Sequence, residues 1–273
     1  MIRQVIKQKQ NLTYLDWSHA RSSSGTAGTF LKSESAMNGQ KIYYKLSHYD
    51  SEKGIIGHES IYEIIVDRLL DILGVEHLNY QLIHADVEVD GKVYETWVCA
   101  SKDFKVKGET KIALDTYYQI MGRSDISKYD FCRGMGWQKY IDTMLAVDYL
   151  ILNRDRHGAN IEVLQNNRKH TRRIAPLFDH GVSLLFSAHS DEEIRAFNVM
   201  EDRVCNNYFG SKSTLENLNL IQDKKAIFLN GLQESDKEIL FCDLEDALSS
   251  EHREKLWEMI YRRWCYYESL CNM

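Results

Sequence analysis

The chain has 273 residues, of which 44% are hydrophobic and 27% are charged. This balance supplies enough apolar material for a packed core and excludes a wholly disordered chain. The formal net charge of −6 argues against general nucleic-acid binding, which depends on a basic surface. The length suits one large domain or two lobes that share a cleft.

The six cysteines are scattered and include no C-x-x-C pair. A chain of this length can build its core without disulfides, so we interpret them as reduced thiols of a cytoplasmic protein. The first ten residues contain no apolar segment of a secretory signal. Because no stretch approaches the ~20 apolar residues of a membrane-spanning helix, we expect a soluble protein with no membrane partner. The spacing of the histidines and cysteines predicts no structural zinc.

Strands dominate the predictions for the first hundred residues. The short aromatic run 11–17 and the run 29–32 are predicted strands on either side of a small polar loop at 18–28. The Asn38-Gly39 pair is a turn signal before the run 41–46, because both residues tolerate positive φ.

A β-hairpin is predicted around Asp90-Gly91, which lies between the alternating runs 87–89 and 92–94. The clearest helix of this half is predicted over residues 59–73, where the apolar residues recur at helical spacing. Gly74 follows as the residue that ends the helix in a left-handed conformation.

The sequence becomes polar between residues 101 and 111, and we predict the boundary between two lobes there. The amino-terminal lobe then covers residues 1–100, and the carboxyl-terminal lobe covers residues 101–273. The second lobe is predicted to be mainly helical, with apolar stripes over 137–152 and 256–264.

Between these stripes, the runs 161–164 and 173–178 flank the polar turn Asn166-Asn167 and predict a short hairpin. The basic run 168–173 falls at this turn, where solvated charge is the simplest interpretation.

The most informative segment for chemistry is Asn153-Arg-Asp-Arg-His-Gly-Ala-Asn160, followed by Leu177-Phe-Asp-His-Gly181. Asp155 and Asn160 have the spacing of the kinase catalytic loop D-x-x-x-x-N, in which the aspartate accepts a hydroxyl proton and the asparagine binds magnesium. Asp179 lies two residues before Gly181, like the aspartate of D-F-G, whose carboxylate joins the metal to the phosphates. Each motif by itself often arises by chance. The order of the motifs around a predicted helix and hairpin, however, favours a phosphotransferase.

The amino-terminal half supplies further candidate parts of such a site. Lys45 ends a predicted strand, where kinases place a phosphate-binding lysine. Glu59 and Glu63 on the following helix are both candidate partners for it, and the residues alone do not choose between them. The small-residue loop 22–28 permits close backbone approach to phosphates, although it matches neither G-x-G-x-x-G nor the P-loop pattern.

Together these residues resemble the HipA-like serine/threonine kinases. The resemblance rests on the runs 153–160 and 175–179, on the S-x-x-G loop before a hairpin, and on Glu63 standing eleven residues before Gly74. It extends from about Asp16 to the carboxyl end. It implies an α+β, two-lobed protein-kinase-like fold, with a small β-rich amino-terminal lobe containing one helix and a mainly helical carboxyl-terminal lobe. It also implies ATP and Mg²⁺ as cofactors and a protein serine or threonine as acceptor.

The resemblance implies a role for each matching residue. Asp155 and Lys45 are the implied catalytic residues, and Glu63 supports Lys45. Asn160 and Asp179 are the implied metal ligands. The implied nucleotide contacts outside these residues are Ser24, Gly25, Thr26, Ala27, Gly28 and Thr29 in the loop, Ser101, Lys102 and Phe104 at the hinge, and His157. Ser22 matches a serine that is autophosphorylated in members of the family, which displaces the loop.

The toxin-type members carry an additional amino-terminal subdomain, whereas the phosphate loop here begins near residue 22. The resemblance is therefore closer to the shorter, stand-alone kinases, and neither toxin activity nor an antitoxin-like partner follows from it. Two other functions share parts of this pattern. A small-molecule phosphotransferase of the antibiotic- or sugar-kinase type more often has an H-G-D-type loop. A catalytically silent nucleotide-binding module need not retain Lys45, Asp155, Asn160 and Asp179 together.

Overall fold

The computed structural model describes residues 5–18, 30–37, 39–122 and 125–272. Among the described residues up to Lys102 there are seven strands and one helix. In chain order they are β1 (Val5–Asn11), β2 (Lys32–Met37), β3 (Gln40–Lys45), β4 (Tyr49–Asp50), β5 (Gly54–Ile55), α1 (Glu59–Leu73), β6 (Tyr80–Val89) and β7 (Lys92–Lys102).

The remaining described residues contain seven helices and five short strands. They are β8 (Thr110–Ala113), α2 (Leu114–Met121), α3 (Lys128–Gly134), α4 (Gln138–Leu150), β9 (Asp155–Arg156), β10 (Glu162–Asn166), β11 (Thr171–Ile174), α5 (Asp191–Ala196), β12 (Asn206–Asn207), α6 (Thr214–Asn217), α7 (Asp236–Phe241) and α8 (Ser250–Cys271). None of these described helices is long and apolar enough to cross a membrane.

The main sheet has five strands in the order β1-β6-β7-β3-β2. Its strands pair antiparallel except for β1, which runs parallel to β6. The β6–β7 hairpin confirms the turn predicted at Asp90-Gly91, where both residues have positive φ, 51° and 74°. The α+β class predicted from the sequence is confirmed.

The first strand of the sheet is not where the sequence suggested. The chain is extended over Val5–Asn11, whereas the aromatic run 12–17 after it forms a loop. Because β1 is an edge strand with exposed polar residues, its sequence carries little of the apolar alternation that marks a half-buried strand. Of the predicted strand 29–32, only Lys32 lies in a strand, and Thr29 lies outside the described residues.

Helix α1 spans Glu59–Leu73 as predicted, and Gly74 ends it with a φ of 70°. The helix is buried on nearly all sides, because it packs between the main sheet and the helical part of the chain. Its apolar residues join the larger core, together with those of α4 and α8. A second, smaller core contains buried residues of the loop 12–15 and of the main sheet.

The hairpin predicted after α4 is confirmed as β10 and β11. It belongs to a three-stranded sheet, since β8 pairs antiparallel with the other edge of β10. Strand β8 begins inside the polar segment 101–111, where no strand was predicted. Strand β7 continues through Lys102, and the division into lobes at residues 100 and 101 stays a prediction.

Candidate active site

Lys45 lies at the carboxyl end of β3, paired in register with Lys32 of β2 and Cys99 of β7. Its Nζ donates hydrogen bonds to Glu63 Oε1 at 2.8 Å and to Asp179 Oδ1 at 2.6 Å. Burial lowers the pKa of Lys45, but the negative charges of Asp179 and Glu63 outweigh it and hold the pKa above its ordinary value. The amine therefore stays protonated.

The structure pairs Lys45 with Glu63 and gives Glu59 a different partner. The Glu63 side chain is fully buried, and it also accepts hydrogen bonds from the backbone amides of His180 and Gly181, at 2.9 and 3.1 Å. The Glu59 carboxylate instead accepts from the His48 amide at 3.0 Å. The choice that the sequence left open is thus made by Lys45 and by two backbone segments, one just before α1 at His48 and one far from it in sequence at His180 and Gly181.

Asp179 lies in the loop after β11 with a φ of 60°, a conformation that costs a non-glycine residue about 1–3 kcal/mol. Its amide donates to Tyr80 Oη at 3.2 Å, and Lys32 Nζ lies 4.0 Å from its Oδ2. A Cβ at Gly181 would come within 3.1 Å of Lys45 Nζ and 3.3 Å of Glu63 Oε1. The glycine of the Asp-x-Gly motif is therefore explained by the close approach of this ion-paired cluster.

The second group of candidate residues shares the loop that follows α4. The Asp155 amide donates to Asn153 Oδ1 at 3.1 Å, and Asn160 Nδ2 donates to the Asp155 carbonyl at 3.0 Å. His157 Nδ1 accepts from the Ala159 amide at 3.2 Å, and its Nε2 lies 3.6 Å from Asp155 Oδ2. These contacts fold the D-x-x-x-x-N segment into a tight loop that ends in a 3-10 turn.

Asn206 is a contact of Asp155 that sequence reasoning missed. Strands β9 and β12 pair in parallel, with Asp155 opposite Asn206, and Asn206 Nδ2 donates to Asp155 Oδ1 at 3.3 Å. The amide orients the carboxylate and leaves the Asp155 side chain partly exposed. No local pattern marks Asn206, because the pairing joins segments 51 residues apart.

A buried ion pair, also missed, joins the two groups of residues. The Arg156 guanidinium donates to both carboxylate oxygens of Asp148 and, through Nη1, to the Phe178 carbonyl at 2.9 Å. Both charged side chains are almost fully buried. The pair therefore fixes the Asp155 loop against the residue before Asp179. The sequence contains one indication of this pair, because Asp148 lies on the apolar stripe of α4. A charged residue at a buried position is rare unless it is paired.

A cleft of about 590 Å³ opens beside Lys45, between the main sheet and the second half of the chain. Lys45, Glu63 and Asp179 line it, and so do the predicted hinge residues Ser101, Lys102 and Phe104. Additional lining residues include Lys32, Tyr43, Tyr80, Cys99, Lys111 and Phe178. Within the described part of the chain, Asp155, His157 and Asn160 are not among the lining residues, and they lie on the neighbouring loop.

The predicted hinge contacts the second half of the chain through Phe104. Its ring centroid lies 5.6 Å from that of Phe178, and Lys111 Nζ lies 4.1 Å from the Phe104 ring centroid. The Phe104 carbonyl accepts a hydrogen bond from Arg173 Nη2 at 3.2 Å. An aromatic wall of this kind suits the flat face of a nucleotide base.

The predictions for Ser22 and for the loop Ser24, Gly25, Thr26, Ala27, Gly28 and Thr29 lie outside the described residues. The described chain resumes at Phe30, whose ring centroid is 5.0 Å from Lys45 Nζ.

The fold of this chain was compared with those of solved structures. The Helicobacter pylori proinflammatory kinase CtkA matches with a TM-score of 0.60 and 16% identity, over 97% of each chain. A chain of the Shewanella oneidensis MR-1 toxin–antitoxin complex of HipA, HipB and operator DNA matches with a TM-score of 0.47 and 13% identity. That match covers 91% of this chain and 67% of the other. No family model and no curated protein matches.

The chain has a protein-kinase-like fold. The kinase-like architecture expected from the sequence is confirmed by the match to CtkA. At 16% identity, the likeness to CtkA extends to the fold alone.

Proposed function

We propose that this chain is a kinase that uses ATP and magnesium to phosphorylate serine or threonine in a protein. The observation that carries the proposal is the ion-paired series Glu63–Lys45–Asp179 at the wall of the cleft. Glu63 holds the protonated Lys45, which also contacts Asp179. In this proposal, Lys45 contacts phosphate and the neighbouring Asp179 binds the metal. Arg156 fixes the Asp155 loop against Phe178, the residue before Asp179.

Each side chain has a defined task in this proposal. Asp155 accepts the proton of the acceptor hydroxyl while Asn206 holds its carboxylate in place. Lys45 binds the nucleotide phosphates, and Glu63 keeps the amine aimed into the cleft. Ser101, Lys102 and Phe104 contact the base, and His157 steadies the Asp155 loop.

The residues present fit a magnesium ion. Asn160 and Asp179 offer amide and carboxylate oxygens, which are the ligands that Mg²⁺ prefers. Asn160 donates through Nδ2 to the Asp155 carbonyl, so its amide is turned with the oxygen away from that bond. When bound, magnesium neutralises charge on the phosphates, while the chain's own part is to hold these oxygens in position.

Asp155→Asn and Asp179→Ala test the proposal. Asp155→Asn should reduce phosphoryl transfer about 10²–10⁴-fold, because the acceptor loses its base, and should leave the Kd for Mg-ATP nearly unchanged. Asp179→Ala should weaken Mg-ATP binding as well, because it removes a metal ligand. Transfer is measured by mass spectrometry after incubation with Mg-ATP, first alone and then with a host lysate, and binding is measured by calorimetry.

Asp191→Asn at the exposed start of α5 is the matched control and should retain full activity. Full transfer by Asp155→Asn would show that the assigned base is wrong. Binding of Mg-ATP without any transfer by the wild type would show a silent nucleotide-binding module instead. Transfer to small hydroxyl compounds but to no protein would identify a small-molecule phosphotransferase.

Autophosphorylation of Ser22 is part of the proposal. A phosphate there adds about −1.5 to −2 charges at neutral pH, beside the similarly charged tail of ATP. The same experiment tests it, since phosphate on Ser22 should appear in the wild type and be absent from Asp155→Asn. Equal modification of the inactive variant would contradict autophosphorylation.

A further inference from the structure

Two aspartates and a histidine meet at the carboxyl-terminal end of α1. Asp67 and Asp71 lie four residues apart and therefore share one face of the helix. Gly74 ends the helix, and the chain then returns so that His77 Nε2 lies 3.1 Å from Asp67 Oδ1 and 3.9 Å from Asp71 Oδ1. One ligand atom from each residue lies within 4.8 Å of the other two. The side chains of His77 and Asp67 are almost fully buried, whereas that of Asp71 is 29% exposed.

The contacts of the His77 ring decide which of its nitrogens faces the carboxylates with a lone pair. Nδ1 lies 2.7 Å from the Val75 carbonyl, and a carbonyl oxygen only accepts, so Nδ1 is the donor. The neutral ring then presents the lone pair of Nε2 to two carboxylates. A proton on Nε2 bridges to Asp67 alone, because the 3.9 Å to Asp71 exceeds hydrogen-bond distance. A metal ion, by contrast, binds all three atoms at once.

The donor atoms and their separations fit a metal of the zinc class. Tetrahedral ligands with bonds of about 2.0–2.2 Å lie about 3.3–3.6 Å apart, and the distances from His77 Nε2 to Asp67 and Asp71 bracket this range. Imidazole suits zinc, whereas magnesium and calcium prefer oxygen ligands alone.

Contacts outside the cluster hold two of these ligands as they are held in metal sites. A metal-binding histidine almost always donates its other ring N–H to a carbonyl or carboxylate, and metal-binding carboxylates are themselves hydrogen-bonded. His77 donates in this way to the Val75 carbonyl. The Tyr80 amide donates to Asp67 Oδ1 at 3.2 Å. The ring and this carboxylate are therefore oriented before any ion arrives.

We propose that Asp67, Asp71 and His77 bind one Zn²⁺ ion, at a site separate from the proposed magnesium site. The ligands are His77 Nε2 and one oxygen of each carboxylate, which leaves a fourth position for water. The partly exposed Asp71 provides the ion with a path from solvent. The spacing of histidines and cysteines did not indicate this site, because two of its three ligands are aspartates. The proposal does not depend on kinase activity.

A metal ion at this site would connect the end of α1 to the segment that precedes Asp179. His77 forms a parallel bridge with Leu177, and the Leu78 amide donates to the Leu177 carbonyl at 2.8 Å. Tyr80 Oη accepts from the Asp179 amide. Because these segments separate when the chain unfolds, Zn²⁺ should raise the Tm of the wild type.

Calorimetric titration with Zn²⁺ tests the site in the full chain, after treatment with EDTA and dialysis and without Mg-ATP. The wild type should show a site for one Zn²⁺ ion. His77→Gln and Asp71→Asn should raise its Kd at least about 100-fold, since loss of an outer contact alone costs about 10–100-fold. His170→Gln and Asp191→Asn replace an exposed histidine and an exposed aspartate. They are the matched controls and should leave the Kd unchanged.

Co²⁺ reports on the ligands themselves. Tetrahedral Co²⁺ absorbs visible light much more strongly than the hydrated ion, so the wild type should gain this absorption when Co²⁺ is added. One equivalent of Zn²⁺ should remove it. His77→Gln and Asp71→Asn should not develop the absorption, and Zn²⁺ should raise the Tm of the wild type but not that of His77→Gln.

Three results would overturn the proposal. The first is a wild type that binds no Zn²⁺, which decides the matter whether or not the variants fold. The second is an equal affinity in the wild type, His77→Gln and Asp71→Asn, which would place the ion elsewhere. The third is Zn²⁺ binding that is lost in Asp179→Ala and kept in His77→Gln, which would assign the ion to the proposed magnesium site. Zn²⁺ binding that requires His77, in a protein that transfers no phosphate, would support this site and contradict only the proposed function.

Discussion

The carboxylate of Glu63 accepts hydrogen bonds from three buried donors. They are Lys45 Nζ and the amides of His180 and Gly181. A buried carboxylate is tolerated only when it is paired and hydrogen-bonded. Because its donors come from β3 and from the loop of Asp179, Glu63 links Lys45 to that loop through one side chain.

Lys32 provides a second cation next to Lys45. The two lysines are register partners on β2 and β3, and both approach Asp179. Lys32→Met should raise the Kd for Mg-ATP about tenfold, because a charge-assisted contact to phosphate is lost. Calorimetry measures the change, with Lys41→Met as the control, because Lys41 pairs with Glu34 at 2.6 Å. Unchanged affinity in Lys32→Met would show that its charge does not reach the nucleotide.

Several candidate site residues were predicted from spacing alone, because their motifs are local. Asp155, Asn160 and Asp179 belong to this group, and so does Lys45 at the end of a strand. Glu59 and Glu63 could not be separated, since residues four apart lie on the same helix face. The choice depends on which donors each carboxylate meets, and the amides that bond to Glu63 belong to a segment more than a hundred residues away.

The ion pair of Asp148 and Arg156 connects α4 to the loop between β11 and Asp179, because Arg156 also donates to the Phe178 carbonyl. Asp148→Asn should lower the free energy of unfolding by about 3–5 kcal/mol, because it leaves a buried guanidinium without its counter-charge. Urea denaturation measures the loss. The exposed pair of Lys237 and Glu254 supplies the control, since Glu254→Gln should cost less than about 1 kcal/mol. Equal losses in both variants would contradict a structural role for the buried pair.

Helices α1 and α8 meet at a pair of histidines that are kept neutral. His252 Nε2 is hydrogen-bonded to Tyr62 Oη at 2.9 Å, and the rings of His252 and His58 lie 4.7 Å apart. Burial, and then the charge of His58, lowers the pKa of His252 to about 3. Burial, and then the charge of His189, lowers the pKa of His58 to about 4.

These pKa values predict a loss of stability in acid. An unfolded histidine binds a proton below about pH 6.5, whereas the folded protein does not bind one at His252 or His58 until a much lower pH. The free energy of unfolding is therefore highest above pH 6.5 and falls as the pH decreases towards 4. His252→Asn should reduce this slope by about 1.4 kcal/mol per pH unit, and the exposed His170→Asn should not. Urea denaturation at several pH values measures the slopes, and identical slopes in the wild type and His252→Asn would refute the expectation.

The elements that were predicted correctly have a local sequence pattern that marks them. Helix α1 has an apolar stripe and a terminal glycine, and the β6–β7 hairpin has an Asp-Gly turn. Strands β1 and β8 lacked such signals, because each is defined by the neighbour it pairs with rather than by its own alternation. Short strands of this kind depend on tertiary contacts that no local pattern contains.

The cleft joins residues from both halves of the chain, so a ligand there should stabilise the whole molecule. Mg-ATP at 100 times its Kd should raise the free energy of unfolding by about 2.7 kcal/mol. Thermal and urea unfolding measure the effect. Removing magnesium with EDTA should abolish most of it, and Asp179→Ala should show little increase at the same Mg-ATP concentration. An equal increase with EDTA present would contradict a metal-dependent site.

Helix α1 is anchored to the second half of the chain, as well as to the sheet. Arg68 donates to the Leu240 and Cys242 carbonyls at 2.9 and 2.7 Å, and Tyr62 is bonded to His252. An inhibitor that binds by pushing this helix outwards would have to break these buried contacts, and we expect poor affinity from compounds of that shape. Compounds confined to the cleft leave the helix in place. Their selectivity can be sought through contacts with Cys99, which has a small side chain, lines the cleft and pairs with Lys45 on the neighbouring strand.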